Sequence, residues 1–186
     1  ITKNCYGEGE LKQLSFLTGK YAQEYLDCAE YCQEYAKLNR KIMAHDIMVG
    51  MRWKAEDEFE TVHNYIGKDG IIRKGAISCY KEERVLIPLN MAEGSLICIG
   101  KGNTDWNNSA PHGAGRALSR MQAKNQLTMQ EYKKQMSGIF SSCISTATLD
   151  EAPMAYKNSI EIIKAIEPAA EIIDHLKPQY NFKAKE

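Results

Sequence analysis

The spacing of apolar positions changes along this chain, and each change predicts a different kind of element. Over residues 19–49, Ala22, Tyr25, Leu26, Ala29, Cys32, Ala36, Met43 and Ile47 fall at helical intervals, which predicts one long helix. Asn39 and Arg40 interrupt that stripe and read as a buried hydrogen-bonding pair that fixes a helix contact. Ahead of it, residues 1–17 are glycine-rich and weakly patterned. Residues 52–69 carry Trp53, an acidic run that reads as a solvated face, and then Thr61-Val62-His63-Asn64-Tyr65-Ile66. Gly67, Asp69 and Gly70 predict a turn.

Shorter runs follow. Residues 71–74, 76–79, 85–87 and 95–99 are rich in isoleucine and valine and punctuated by glycine, which predicts strands. A polar loop over 103–111 delivers the chain to His112. One helix is expected after Gly115 and runs to about Lys124. Thr128 and Glu131 have capping-box spacing and predict a second helix through Met136 and Phe140. Residues 145–157 read as a loop around Pro153. Asn158 and Glu161 again have N-cap spacing, ahead of Ile160, Ile163, Ile166, Ala170, Ile173 and Leu176. That predicts a last helix, kinked or split at Pro168 and closed by Pro178. A helix, then strands, then helices points to a mixed α+β fold, strand-rich at its centre and flanked by helices. At 186 residues the length predicts a single domain.

Composition narrows the classes. With 44% hydrophobic and 26% charged residues the chain can bury a core and is not a disordered tail. Lys and Arg number 24, as do Asp and Glu, so no net charge advertises nucleic acid and a local basic face would have to serve. No apolar run reaches the roughly 18 residues of a membrane span, and no signal pattern opens the sequence. The expectation is a cytoplasmic protein whose cysteines (Cys5, Cys28, Cys32, Cys79, Cys98 and Cys143) are reduced. Cys28 and Cys32 sit i,i+4 on the long helix and read as packing rather than a metal pair. The first residue, isoleucine, suggests a trimmed or partial chain.

The stretch richest in chemistry is Asn108-Ser109-Ala110-Pro111-His112-Gly113-Ala114-Gly115-Arg116-Ala117-Leu118-Ser119-Arg120. Two glycines let backbone N–H groups approach a ligand, and a glycine turn that opens into a helix is an anion site. Arg116 and Arg120, four apart, would share a face on such a helix. His112 could attack a phosphorus, bind a metal or cap the loop. The other histidines are His45, within the long helix, His175, expected near a helix C-terminus, and His63. The first two have ordinary structural readings.

His112-Gly113-Ala114-Gly115-Arg116 resembles the signature of the RtcB family of RNA-splicing ligases, with Ser119-Arg120 after it. Further matches follow the family's order: Tyr35-Ala36-Lys37-Leu38-Asn39-Arg40, His63-Asn64-Tyr65, Arg73-Lys74-Gly75-Ala76, Ile87-Pro88, Ser95 and Ala152-Pro153-Met154-Ala155-Tyr156-Lys157. The likeness covers nearly the whole chain but only the C-terminal half of a full family member. It implies an RtcB-like fold and a GTP- and manganese-dependent RNA ligase. Such an enzyme joins RNA 3′-phosphate or 2′,3′-cyclic phosphate ends to 5′-hydroxyl ends, in tRNA splicing or RNA repair. By the resemblance, His112 is the nucleophile that takes up GMP, and His63 is a manganese ligand. Arg116, Arg120 and Lys74, with Arg73, are expected on phosphate. Asn64, Pro88, Leu89, Asn90, Met91, Ser95, Gly113, Ala114, Gly115, Tyr156 and Lys183 are expected around the nucleotide. The partners implied are RNA ends and the N-terminal half of the ligase, which carries the family's other metal ligands. The fragment alone is expected to be inactive or nearly so.

Two departures bear on base choice. The family usually reads Pro-Gly-Ser-Met-Gly where this chain has Pro88-Leu89-Asn90-Met91-Ala92, and Ala184-Lys185-Glu186 follows Lys183 where the family commonly ends at Lys-Gly. Two rival functions share the same anion site: a nucleotide-binding regulatory module without ligase activity, and a metal-dependent phosphohydrolase using His63 and His112 together.

Overall fold

The computed structural model describes residues 15–183. Its class is α+β, with helices and several small sheets. Where the length predicts one domain, the chain divides into two compact units. One comprises residues up to Glu58 together with Tyr65–Ile72, the other Phe59–Asn64 together with Arg73–Glu186. Cys5 lies outside the described residues.

The first unit is dominated by helix α1, Gly19–Met51, close to the predicted span. Arg52 ends it in the left-handed conformation, its N–H turned back to the carbonyls of Met48 and Val49. None of its residues is buried, and Tyr31, Tyr35, Leu38 and Ile42 are exposed. Asn39 and Arg40 are exposed too, so the expected buried pair does not form. The predicted turn closes with Gly67 donating to Ile71 and Gly70 donating to Gly67.

In the second unit, β3 (Arg84–Pro88) and β4 (Ser95–Gly100) form an antiparallel hairpin, and β7 (Ala170–Leu176) pairs antiparallel with the other edge of β4. Period-two alternation buries Leu96 and Cys98 of β4 with Val85 and Ile87 of β3, and Ile77, Cys79, Ile166 and Ala169 complete that core. Each large apolar side chain so buried contributes roughly 1.5–3 kcal/mol. The hairpin turn is held by the Asn90 side chain, whose Oδ1 accepts from the N–H groups of Ala92 and Glu93, both at 3.0 Å. Gly94 follows at φ 83°; a Cβ there would stand 2.0 Å from the Leu176 carbonyl oxygen.

A second sheet orders β1 (His63–Ile66), β2 (Ile72–Ser78) and β5 (Ser109–Pro111), with β2 and β5 antiparallel. Helices α2 (Arg120–Gln126) and α3 (Met129–Gln135) open on capping boxes, Ser119 with Gln122 and Thr128 with Glu131. The buried Tyr132 of α3, with Met136, Cys143, Leu149 and Met91, makes a second core cluster. A two-residue parallel pair, β6 (Phe140–Ser141) with β8 (Tyr180–Asn181), brings the C-terminal tail alongside.

Four predicted elements differ. The two strands expected over residues 71–79 are one, Ile72–Ser78, because Gly75 takes φ 69° without breaking the pairing of Ala76 with Pro111. The helix expected after Gly115 begins only at Arg120, since Arg116 is held in an isolated bridge with Tyr156. The helix from Thr128 ends at Gln135, well before Phe140. The last helix, α4, covers only Ser159–Ile166. Pro168 cannot continue it, and residues 170–176 complete the open edge of β4 instead, with a bulge beside Ile97 and Cys98. His175 therefore lies on a strand, where its Nε2 meets the Glu93 carbonyl at 2.6 Å.

Candidate active site

His112 follows β5 directly, and three neighbouring backbones fix its loop. Its own N–H donates to the Gly75 carbonyl at 3.3 Å, and the Ala114 N–H donates to the Pro88 carbonyl at 3.0 Å. Farther along, Lys157 N–H reaches the Gly115 carbonyl at 3.1 Å, and Ala117 donates to Ala155 at 2.8 Å. Gly113 sits close under its neighbour: a Cβ would stand 3.0 Å from the Pro88 oxygen, tighter than an ordinary contact. Gly115 is needed for another reason, its φ of 69°. The N–H groups of Gly113 and Gly115 have no hydrogen-bond acceptor among the described residues, which leaves them as donors to an anion.

The two histidines singled out from the sequence come together. The rings of His63 and His112 are 4.9 Å apart between centroids, tilted by 55°. His63 is exposed and His112 half-buried. Burial, and then the charge of His63, push the His112 pKa below its ordinary value, so the imidazole favours its neutral form. Between them lies Gly75. Asn64, left-handed at φ 56°, accepts the Gly75 N–H on its Oδ1 at 2.8 Å, and the Gly75 carbonyl in turn holds His112.

The basic residues divide. Lys74 is exposed. Arg73 is 2% exposed, and its guanidinium donates to Ser109 Oγ at 3.0 Å and to the Tyr80 hydroxyl and the Asn107 carbonyl at 3.2 Å. Buried against these partners, it pins the approach to β5 and does not present itself to a phosphate, contrary to the sequence expectation. Arg116 is also engaged from within. Its Nε donates to the Leu118 carbonyl at 3.0 Å, one Nη to the Asp150 carbonyl, and the other stands 3.5 Å from Glu151. Arg120, at the start of α2, is half-exposed with its Nε 3.9 Å from the buried Asp150 carboxylate. The two arginines do not share a helix face, because only Arg120 is helical.

Pro88 is exposed and Ser95 half-buried, while Leu89 and Met91 turn into the core; Met91 sulfur accepts from the Tyr132 hydroxyl at 3.3 Å. Asn90 is occupied with the hairpin turn and Glu93. Tyr156 and Lys183 meet at Glu151, a residue the sequence reading passed over. The Tyr156 hydroxyl donates to Glu151 Oε2 at 2.7 Å, and Lys183 Nζ is 3.2 Å from the same oxygen. Burial opposes ionisation of Glu151, but the Tyr156 hydrogen bond, Lys183 and Arg116 outweigh it and hold its carboxyl below the usual range. Burial, and then the bond to Glu151, push the Tyr156 phenol up to about 12. The available signal was position: Glu151 immediately precedes the motif at 152–157.

The family model for the tRNA-splicing ligase RtcB matches residues 7–184. This chain belongs to the RtcB family. It is 29% identical over 178 residues to the RNA-splicing ligase RtcB of Escherichia coli (strain K12), a match covering 85% of this chain and 43% of that protein. To the tRNA-splicing ligase RtcB of Archaeoglobus fulgidus it is 29% identical over 206 residues, covering 87% of this chain and 42% of the relative. A shorter match to the Aeropyrum pernix tRNA-splicing ligase RtcB reaches 40% identity over 79 residues, 40% of this chain and 16% of the relative. The chain thus spans less than half the length of these RtcB relatives.

Among the described residues no three His, Cys, Asp or Glu side chains cluster as a metal site, so His63 by itself does not make this chain's residues fit a manganese ion. No helix among them is long and apolar enough to cross a membrane.

Proposed function

We propose that this chain is the nucleotide-binding half of a GTP-dependent RNA ligase, which joins RNA 3′-phosphate or 2′,3′-cyclic phosphate ends to 5′-hydroxyl ends. The observation that carries the reading is the placement of His112. An imidazole that burial biases toward its neutral form stands on a loop fixed by its neighbours' backbones, next in sequence to N–H donors that have no acceptor among the described residues. In the first step an imidazole lone pair of His112 attacks the α-phosphorus of GTP. A P–N bond forms, the bond to pyrophosphate breaks, and pyrophosphate leaves. The Gly113 and Gly115 N–H groups stabilise the negative charge that grows on the phosphoryl oxygens. GMP then passes to an RNA 3′-phosphate. A 5′-hydroxyl attacks that activated end, and GMP departs. Arg116 keeps the loop in shape, while Arg120 and Lys74 remain as exposed cations for RNA phosphate. Further metal ligands, and with them RNA sealing, belong to the N-terminal half.

The test is incubation with GTP and manganese, with and without a supplied N-terminal half, followed by mass spectrometry for acid-labile GMP on His112. An adduct is expected in the assembled protein and is absent from His112→Ala. Phosphate release with no adduct on His112 would replace the ligase reading with hydrolysis.

A further inference from the structure

We propose that Glu151 is the positioning residue of the base-binding site, holding Tyr156 and Lys183 where they select the purine; this rests on the nucleotide reading above. Glu151 ends the 3-10 turn Thr146–Glu151 with its side chain one-fifth exposed. Three groups from three segments converge on its carboxylate. Tyr156 and Lys183 share Oε2, and Arg116 of the His112 loop faces Oε1.

Each contact solves a separate problem. Lys183 lies on the tail beyond β8, and a free lysine side chain samples many rotamers. The ion pair to Glu151 restrains it before any ligand arrives. Tyr156 is anchored at its hydroxyl, and the Arg116 guanidinium sits over its ring, 5.3 Å from the centroid. One ring face is therefore occupied by Arg116, and a base stacks on the other. Glu151 links this platform to the His112 loop, so the base and the α-phosphorus are registered by one carboxylate. Glutamine has nearly the same shape but no charge. It keeps an acceptor for Tyr156 and releases Lys183.

The experiment uses the chain assembled with the remainder of the ligase. For Glu151→Gln, KM for GTP in His112 guanylylation is expected to rise about tenfold, with kcat within about twofold. The preference for GTP over ATP should fall by a similar factor, and thermal stability should stay close to that of the unaltered protein. Glu151→Ala should lose more of each; if it does not fold, the glutamine variant decides. Unchanged KM and unchanged base preference in Glu151→Gln overturn the proposal and leave Glu151 a structural brace. An unaltered protein that takes up no guanylyl group on His112 sinks the nucleotide reading along with it, whereas normal adduct formation with an inert Glu151 removes the positioning role alone.

Discussion

The imidazole of His63 stands 4.9 Å from that of His112, near enough for the charge of one to set the proton affinity of the other. Burial is the larger cause of the lowered His112 pKa and His63 the smaller. In the metal-free protein, His112 should titrate below 6.5 by histidine NMR. His63→Ala should move it up, incompletely, because burial remains. The linkage has a definite sign. The unfolded chain takes the proton more readily, so this contribution to stability is present above the unfolded pKa and is lost as pH falls through the folded one. A His112 that titrates at or above its ordinary value would remove the argument for a neutral nucleophile.

Asn64 reaches His112 through one intervening residue. Asn64→Ala deletes the acceptor of the Gly75 N–H and places a less tolerant residue at φ 56°. A loss of about 1 kcal/mol in unfolding free energy is expected, with guanylylation of His112 slowed about tenfold. Asn64→Asp keeps the acceptor and should recover most of the rate. Equal rates in all three proteins would show that the Gly75 link does not aim the ring.

Two glycines separate backbone strain from steric conflict. Gly70 has φ 76°, and a Cβ added there would meet nothing within 4 Å, so Gly70→Ala should cost only about 1–2 kcal/mol. Gly94 has a similar φ, but its added carbon would overlap the Leu176 carbonyl, so Gly94→Ala should cost on the order of 3 kcal/mol or more. Denaturant midpoints compare the two directly, and the ranking fails if Gly70→Ala is the worse.

The thiols should fall into two classes. Burial raises Cys79 and Cys98 to about 11, with Glu83 adding to the first and Cys79 to the second. Cys28 and Cys32 are exposed on α1. Iodoacetamide at pH 8 should label Cys28 and Cys32 within minutes and spare Cys79 and Cys98 until the protein is unfolded. Rapid labelling of Cys98 in native protein would contradict the burial of β4.

Much of the frame was legible because it obeys local rules. Helical spacing located α1, and the Thr128–Glu131 pair opened α3 as its side chains dictate. The failure at residues 170–176 has a tertiary cause. Isoleucine at 172 and 173 suits either period, and only the free edge of β4 makes the segment a strand. The site shows the same divide. His112 and His63 were identifiable by residue type and motif, and they are adjacent in space. Arg73 and Arg116 carry the charge a phosphate needs, but which side of the surface each occupies depends on Ser109, Tyr80, Asp150 and Glu151, partners up to 36 positions away in sequence. Glu151 matches no spacing rule; its one sequence signal is its place just before the motif at 152–157, and three-dimensional convergence is what gives it a role.

The His112 loop is tied to Gly75, Pro88, Ala155 and Lys157 by main-chain bonds and braced by the Arg116 guanidinium on the Leu118 and Asp150 carbonyls. Ordering entropy there is met during folding rather than at the encounter with a ligand. The loop that carries the imidazole is thus shaped by folding itself, and a substitution that leaves these bonds in place leaves its shape in place.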